Sequence, residues 1–339
     1  MPSDPVLVTG GTGVVGRPLV ERLVSAGRDV RALARTRAAS DALEALGAKP
    51  VHGDVLDAAS LKEAVRGCGT VFHVAGTNAM CLRDPAPMYR TNVEGSENVV
   101  RAAEAEGVGR VVYTSSASAI GEERGTIGSE DSPHRGRYLS DYERSKHLAE
   151  RRVLALAGEL DLDLVCVNPS SVQGPGRSTG SARLLVDVVK GKLPFLVETT
   201  ISLVDIRDCT EGHMLAESRG IRLERYVLCG ATITTREAVE HLRRIWGRPK
   251  RIWWIPPSAA VAGGTAVELA GTIFRRDVPV CREAVRTLLH GHRYDGSKAE
   301  RELGLLYTPL EETLERTLTW LAERGLVPPR ATPEREAGT

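Results

Sequence analysis

Tyr142 and Lys146 stand four residues apart in a stretch of helical pattern, which puts their side chains on one face, one turn from each other. An ammonium held beside a phenol favours the phenolate, and a phenol tuned in that way can exchange a proton with an alcohol or ketone near neutral pH. The same ammonium can bond the hydroxyls of a nucleotide ribose. The spacing Y-x-x-x-K recurs by chance on solvated helix faces, so position has to give it weight. In Val111-Val112-Tyr113-Thr114-Ser115-Ser116-Ala117 a strand ends in paired hydroxyls. Ligands of doubly wound folds bind off the carboxyl ends of strands. Ser116, 26 residues before Tyr142, can therefore hold a substrate oxygen while Tyr142 moves the proton. Ser115 is the weaker candidate for that role, and capping of the strand end is the structural alternative for Ser116.

Proton transfer of this kind needs an electron carrier, and the N-terminus offers a cradle for one. A short apolar strand, Val6-Leu7-Val8, runs into Thr9-Gly10-Gly11-Thr12-Gly13-Val14-Val15-Gly16, and a helical pattern through Leu19, Val20 and Leu23 follows. Gly10 permits the tight turn, Gly13 lets backbone approach a diphosphate, and Gly16 lets the helix pack close to the strand. The helix N-terminus then presents N–H groups and partial positive charge to an anion. A site that prefers NAD places Asp or Glu at the end of the second strand. Here Val30-Arg31-Ala32-Leu33-Ala34-Arg35-Thr36-Arg37 has no acid there. Arg35, with Arg37 as a second candidate, can contact a 2′-phosphate, so NADP is the expected cofactor, with NAD the alternative; solvated loop arginines are the bland reading.

These groups must be positioned by a sheet. Candidate strands cover residues 5–9, 29–34, 49–52, 70–75, 110–114 and 163–168, with helical patterns at 14–26, 38–46, 58–66, 86–106 and 138–158 between them. Strict alternation with short connections predicts an α/β fold: a doubly wound parallel sheet covered by helices on both faces, with a smaller, mainly helical C-terminal part. After Pro169 the rhythm breaks. Residues 1–169 and 200–229 are expected to form the nucleotide domain, 170–199 and 230–325 the substrate-binding part, and 326–339 a flexible tail.

The chain has 339 residues, 42% of them hydrophobic, and 45 Lys+Arg against 44 Asp+Glu, a balance that calls for neither nucleic acid nor an acidic membrane surface. Cys68, Cys81, Cys166, Cys209, Cys229 and Cys281 are scattered and read as reduced, mostly packed thiols of a cytoplasmic protein. Ile255 to Phe274 is the nearest approach to a membrane span. Its prolines, glycine pair and Glu268 argue instead for a buried helix or a substrate lid. His73 closes a strand with no second histidine or acid at metal-ligand spacing, so it is expected to be structural and no metal is expected. Asp205 and Asp208 read as organisers of a strand-helix corner.

Taken together, Thr9–Gly16, Gly53-Asp54-Val55, Phe72-His73-Val74-Ala75, Asn92-Val93-Glu94-Gly95, Thr114-Ser115-Ser116, Tyr142–Lys146, Asn168-Pro169-Ser170-Ser171 and Val204–Asp208 resemble, in order, the extended short-chain dehydrogenases/reductases of the NAD(P)-dependent epimerase/dehydratase superfamily. The nearest branch is similar to dihydroflavonol 4-reductases and 3β-hydroxysteroid dehydrogenases. The resemblance implies Tyr142 as general acid/base, Lys146 as ribose anchor and Ser116 as donor to the substrate oxygen. It implies a cofactor site that includes Thr9, Gly10, Gly13, Val14, Val15, Gly16, Arg35, Thr114, Tyr142 and Lys146. Asp54 and Val55 would flank the adenine, Val74 and Ala75 would line the channel, and Pro169 and Ser171 would lie near the nicotinamide. One departure is Ala119-Ile120-Gly121, where many sugar-nucleotide members carry Val-Tyr-Gly.

The leading expectation is an NADP(H)-dependent oxidoreductase acting on a carbonyl or secondary alcohol of a fairly apolar small molecule, contacted by Thr77–Pro87, Glu122–Arg137, Gln173–Ser181 and Ser258–Phe274. The alternatives are a nucleotide-sugar epimerase or dehydratase, with Arg177, Arg183 and Lys190 on a diphosphate, and a non-catalytic NADP-binding redox sensor. A homodimer through the helices near 86–106 and 138–158 is the expected assembly, though some members of the branch are monomers.

Overall fold

The structure, a computed structural model, describes residues 4–178, 182–247, 251–274, 278 and 280–330. Its centre is a seven-stranded parallel sheet built from β1 (Val6–Thr9), β2 (Val30–Ala34), β3 (Lys49–His52), β4 (Thr70–His73), β5 (Arg110–Thr114), β6 (Leu164–Pro169) and, from later in the chain, Arg225–Leu228. The order runs Arg225–Leu228, β6, β5, β4, β1, β2, β3, so the winding reverses between β1 and β4. Register across that point is Val6 with Thr70 and Thr9 with His73.

The sheet is covered on both faces because alternate strand residues point to opposite sides. Val6, Val8, Val112, Val165 and Val167 pack with Leu19, Val20 and Leu23 of α1 (Gly16–Ser25) and Leu43 of α2 (Arg37–Glu44). Their neighbours Leu7, Val111, Tyr113, Leu164 and Cys166 face the other way. They pack against α3 (Ala58–Val65), a short α4 (Ala86–Tyr89) continued through a π-helical turn into α5 (Gly95–Ala105), and α6 (Asp141–Glu159). Asp57 caps α3 through the N–H groups of Ala59 and Ser60.

Beyond β6 the chain departs from the expected division. β7 (Ser171–Gln173), β9 (Thr200–Asp205) and β11 (Ala231–Thr234) form a second sheet in the order β11-β9-β7. β8 (Phe195–Leu196) pairs with β12 (Trp253–Trp254), and β10 is the Arg225–Leu228 strand of the main sheet. Of residues 200–229, then, only α8 (Ile206–Arg219) and β10 complete the nucleotide sheet, while β9 belongs to the small one. Asp205 caps α8 and also bonds Thr313 and Arg316, and Asp208 holds Thr308, so this corner is structural as expected. α7 (Ala182–Val189), α9 (Thr235–Trp246) and α12 (Leu310–Glu323) enclose a separate apolar core. α10 (Pro257–Phe274) and α11 (Arg282–His290) pack against each other.

Three further expectations are corrected. Val327 is buried in the α9–α12 core and the Trp246 indole donates to the Pro328 carbonyl at 2.9 Å, so packed chain extends past residue 326; residues 331–339 lie outside the described residues. Cys81 and Cys281 form a disulfide, where all six cysteines were read as reduced; spacing alone could not pair residues 200 apart. Finally, α10 is not a buried helix. Only Gly264 and Gly271 are buried on it, while Leu269, Ile273 and Phe274 are exposed. No helix among the described residues is long and apolar enough to cross a membrane.

Candidate active site

The turn after β1 is tight for a reason that only glycine meets. Gly10 has φ +70°, and a Cβ there would lie 2.7 Å from the Ala75 backbone at the end of β4. A Cβ on Gly16 would come within 2.1 Å of the Gly10 carbonyl. The Gly13 N–H donates to that same carbonyl at 2.9 Å, closing the loop on itself. α1 starts with no side-chain cap and no acidic residue in its first turn, so an anion there meets no competing carboxylate. Val14 is exposed at the rim and Val15 packs inward. These features fit the diphosphate of a nicotinamide dinucleotide.

Thr9 lies deeper than the rest of its motif. Its hydroxyl is fully buried, 2.7 Å from His73 Nδ1, and accepts from the Ala75 N–H at 3.1 Å. His73 Nε2 in turn meets Ser96 at 2.9 Å. Burial, with the nearby Lys146 charge, lowers the His73 pKa to about 3, so the ring is a neutral strut locking β1 to β4. That is the structural role expected of it.

Across the winding reversal, β5 ends at Thr114 and the catalytic candidates gather. Ser116 caps the 3₁₀ turn Ala117–Ile120 through the Ser118 N–H and its hydroxyl is 2.9 Å from that of Ser118. Both the capping role and the substrate role foreseen for it are thus open to the same oxygen. Ser140 caps α6 through the Glu143 N–H, which starts the helix in the phase that turns Tyr142 and Lys146 toward β5. The Lys146 ammonium is buried, donates to the Thr114 carbonyl at 2.8 Å and lies 5.3 Å from the Tyr113 ring centre. Burial lowers its pKa to about 8. Thr114 spends its hydroxyl on His213, at 2.9 Å.

The protonation of the Tyr142 phenol is set by its burial and by two neighbours. Burial raises its pKa, opposed first by a hydrogen bond with Ser116 and then by the positive charge of Arg177. Arg177, whose charge opposes that rise, also donates to the Val172 carbonyl at 2.6 Å. It follows β7 in the Gly174-Pro175-Gly176 turn. The sequence places it in the Gln173–Ser181 substrate segment or on a diphosphate, and nothing in its spacing from residue 142 indicates proximity to the phenol.

At the end of the sheet where an adenine is expected, Asp54 accepts from the Leu56 N–H and lies 3.8 Å from an exposed Arg35, while Val55 is buried against α5 with its carbonyl held by Asn98. Arg37 instead pairs with Asp41 along α2. Val74 and Ala75 are half-buried between the glycine turn and the Thr77 loop, and Pro169 ends β6. The Ser171 hydroxyl accepts from Gln173 at 3.1 Å. Asn92 is a residue to which sequence reading gave no role. It is buried in the π-helical turn, accepts from the Thr77 N–H at 2.7 Å, and donates to the Thr77 carbonyl and to Ser145. It thereby ties the loop after β4 to the helix that carries Tyr142. Asn168 does the same for Ser116, donating to its carbonyl at 3.1 Å and to Glu150. Among the substrate segments, residues 179–181 lie outside the described residues, and Glu122 and Arg135 are turned into the interior.

A glycine cradle off β1 and a Ser-Tyr-Lys group off β5, on one parallel sheet, define a Rossmann-type oxidoreductase of the extended short-chain dehydrogenase/reductase class. Residues 6–228 match the model of the NAD dependent epimerase/dehydratase family, and the chain belongs to that family. It is 33% identical over 96% of its length to a protein of Synechocystis sp. named as a candidate dihydroflavonol 4-reductase, covering 96% of that protein. It is 32% identical to sterol demethylase protein B of Methylococcus capsulatus, over 95% of this chain and 99% of that one. Among solved structures, gox2253 superposes with a TM-score of 0.84 at 30% identity, covering 96% of this chain and all of that one. The chain is an enzyme, an NAD(P)-dependent oxidoreductase.

Proposed function

We propose that this enzyme interconverts a ketone and a secondary alcohol on a fairly apolar small molecule, using NADP(H), with Tyr142 as general acid/base. The observation that carries this reading is the hydrogen bond between Ser116 and the Tyr142 phenol, beside the buried Lys146. Ser116 and Tyr142 would share the carbonyl oxygen as hydrogen-bond donors, polarising it, and Tyr142 would then deliver the proton to the forming alkoxide. Lys146, anchored on the Thr114 carbonyl, would orient a ribose and hold positive charge beside the site. Gly10, Gly13, Val14, Val15 and Gly16 would hold the diphosphate, Asp54 and Val55 the adenine side, and Pro169 and Ser171 the nicotinamide side. A nicotinamide bound there supplies hydride in one direction and takes it up in the other. The relatives' names support an apolar, ring-shaped substrate.

NADP is preferred because Arg35 is exposed with only a loose Asp54 partner, leaving its guanidinium able to turn to a 2′-phosphate. A second reading, an enzyme for nucleotide sugars, is favoured by Arg177, a cation beside the phenol that suits an anionic substrate. Arg183 is tied to Asp187 on the surface of α7 and supports it less.

The test is NADPH oxidation against a panel of apolar cyclic ketones, flavanonols and aldehydes, with Tyr142→Phe alongside. We expect the variant to lose about 10²-fold or more in turnover while its NADPH dissociation constant changes by less than about threefold. Turnover within threefold of wild type would remove Tyr142 as the acid. Silence across the panel with a tightly retained NAD(H) would move the assignment to the nucleotide-sugar reading. NADPH should bind more tightly than NADH, and Arg35→Ala should weaken NADPH by about tenfold, the scale of one charge-assisted hydrogen bond. Tighter NADH binding in the wild type would reject NADP.

A further inference from the structure

Glu122, His290 and His292 meet in the interior with one ligand atom each, all within 4.8 Å of one another. We propose that they form a binding site for a divalent transition metal of the zinc type, which clips the loop after Ser116 to the C-terminal part. The expectation of no metal looked for partners at short spacing from His73; this trio joins a carboxylate to an H-x-H segment 168 residues later.

Glu122 Oε1 lies 3.4 Å from His290 Nε2 and 2.6 Å from His292 Nδ1, with the two imidazole centres 4.7 Å apart. Ligand atoms about 2.0–2.1 Å from a tetrahedral zinc are separated by about 3.3 Å, so the first contact already matches and the second needs to open by about 0.7 Å. His290 Nε2 also lies 3.2 Å from the Glu122 carbonyl, and the Tyr294 hydroxyl 3.0 Å from His292 Nδ1, where it could serve as a fourth ligand. Two imidazoles and a carboxylate without thiolate suit Zn²⁺, Co²⁺, Ni²⁺ or Fe²⁺, rather than Mg²⁺ or Ca²⁺, which favour oxygen ligands alone.

A second observation points the same way. Glu122 is 2% exposed, yet its Oε2, the second oxygen of the carboxylate that meets both imidazoles, has no hydrogen-bond partner among the described residues. Arg135 does not fill the gap, because it ion-pairs with Glu143 and reaches Glu122 only at its backbone carbonyl. The backbone that carries the imidazoles is fixed in place. Thr200 donates to the Gly291 carbonyl at 2.6 Å and Ser202 to that of His292 at 3.1 Å, as expected of ligands held by surrounding hydrogen bonds. A proton-bridged carboxylate–imidazole trio with no metal affinity is the competing account.

The two accounts separate in a titration of the full-length, untagged chain after chelator treatment, using Co²⁺ and Zn²⁺ alone. One equivalent of Co²⁺ should give visible d–d absorption, and Zn²⁺ should displace it and raise the thermal midpoint. Glu122→Gln, which keeps the side-chain shape, and His292→Ala should each weaken binding by at least about 100-fold, while NADPH binding reports that they remain folded. Absence of stoichiometric Co²⁺ bands in the wild type overturns the site whatever the variants do. So does binding that both substitutions leave unchanged, since the metal would then sit elsewhere.

Discussion

The sheet half of the molecule and the surface around α10 both contain apolar sequences and treat them in opposite ways. Leu7, Phe72 and Leu164 have no exposed surface at all, whereas Leu269, Ile273 and Phe274 are 60%, 66% and 72% exposed. In the inner strands of the sheet the apolar side chains alternate onto faces that helices cover. α10 is apolar all round, so its sequence designates no inner face. It meets α11 through glycine: a Cβ on Gly264 would lie 2.7 Å from Val285. The contrast teaches that hydrophobicity alone does not report burial; periodicity does, and where periodicity is missing a small residue can choose the contact.

That comparison can be broken or sharpened by experiment. Phe72→Ala, in the centre of the sheet, should lower unfolding free energy by about 3–5 kcal/mol in denaturant titration. A loss under about 1 kcal/mol would mean that the two faces are not packed as described. Next in size is the Cys81–Cys281 disulfide, which ties the loop after β4 to the start of α11. Cys281→Ser should cost about 2–4 kcal/mol. It should leave NADPH affinity within about twofold, because Thr9 holds Ala75 and Asn92 holds Thr77 independently of the disulfide. Loss of NADPH binding would show that the two halves are not separable. Smallest is Phe274→Ser, expected within about 0.5 kcal/mol of wild type. A drop of several kcal/mol would mean that the α10 surface is covered in solution.

Glu143 provides a contrast on the polar side. It is buried with Arg135, and burial raises its pKa to about 7 despite that cation, one residue along the helix from Tyr142. Polar burial of this kind occurs where α6, the loop after Ser116 and the segment after α11 meet, and no local pattern announces it.

The order of strands and helices through residue 169, the glycine turn, and the Tyr142–Lys146 pair were legible because each depends on spacing within one element. Two-residue alternation sets a sheet face and four-residue spacing a helix face, whatever surrounds them. What was hidden depends on contacts between distant segments. Arg177 beside the Tyr142 phenol, Asn92 pinning the Thr77 loop, Cys81 against Cys281, β9 leaving the main sheet for the small one, and Glu122 against two histidines are all of this kind. Sequence thus determined which side chains share a face, since backbone geometry imposes that locally. The tertiary structure alone decided which faces meet, because that depends on how separate elements pack and on which buried charges that packing brings together.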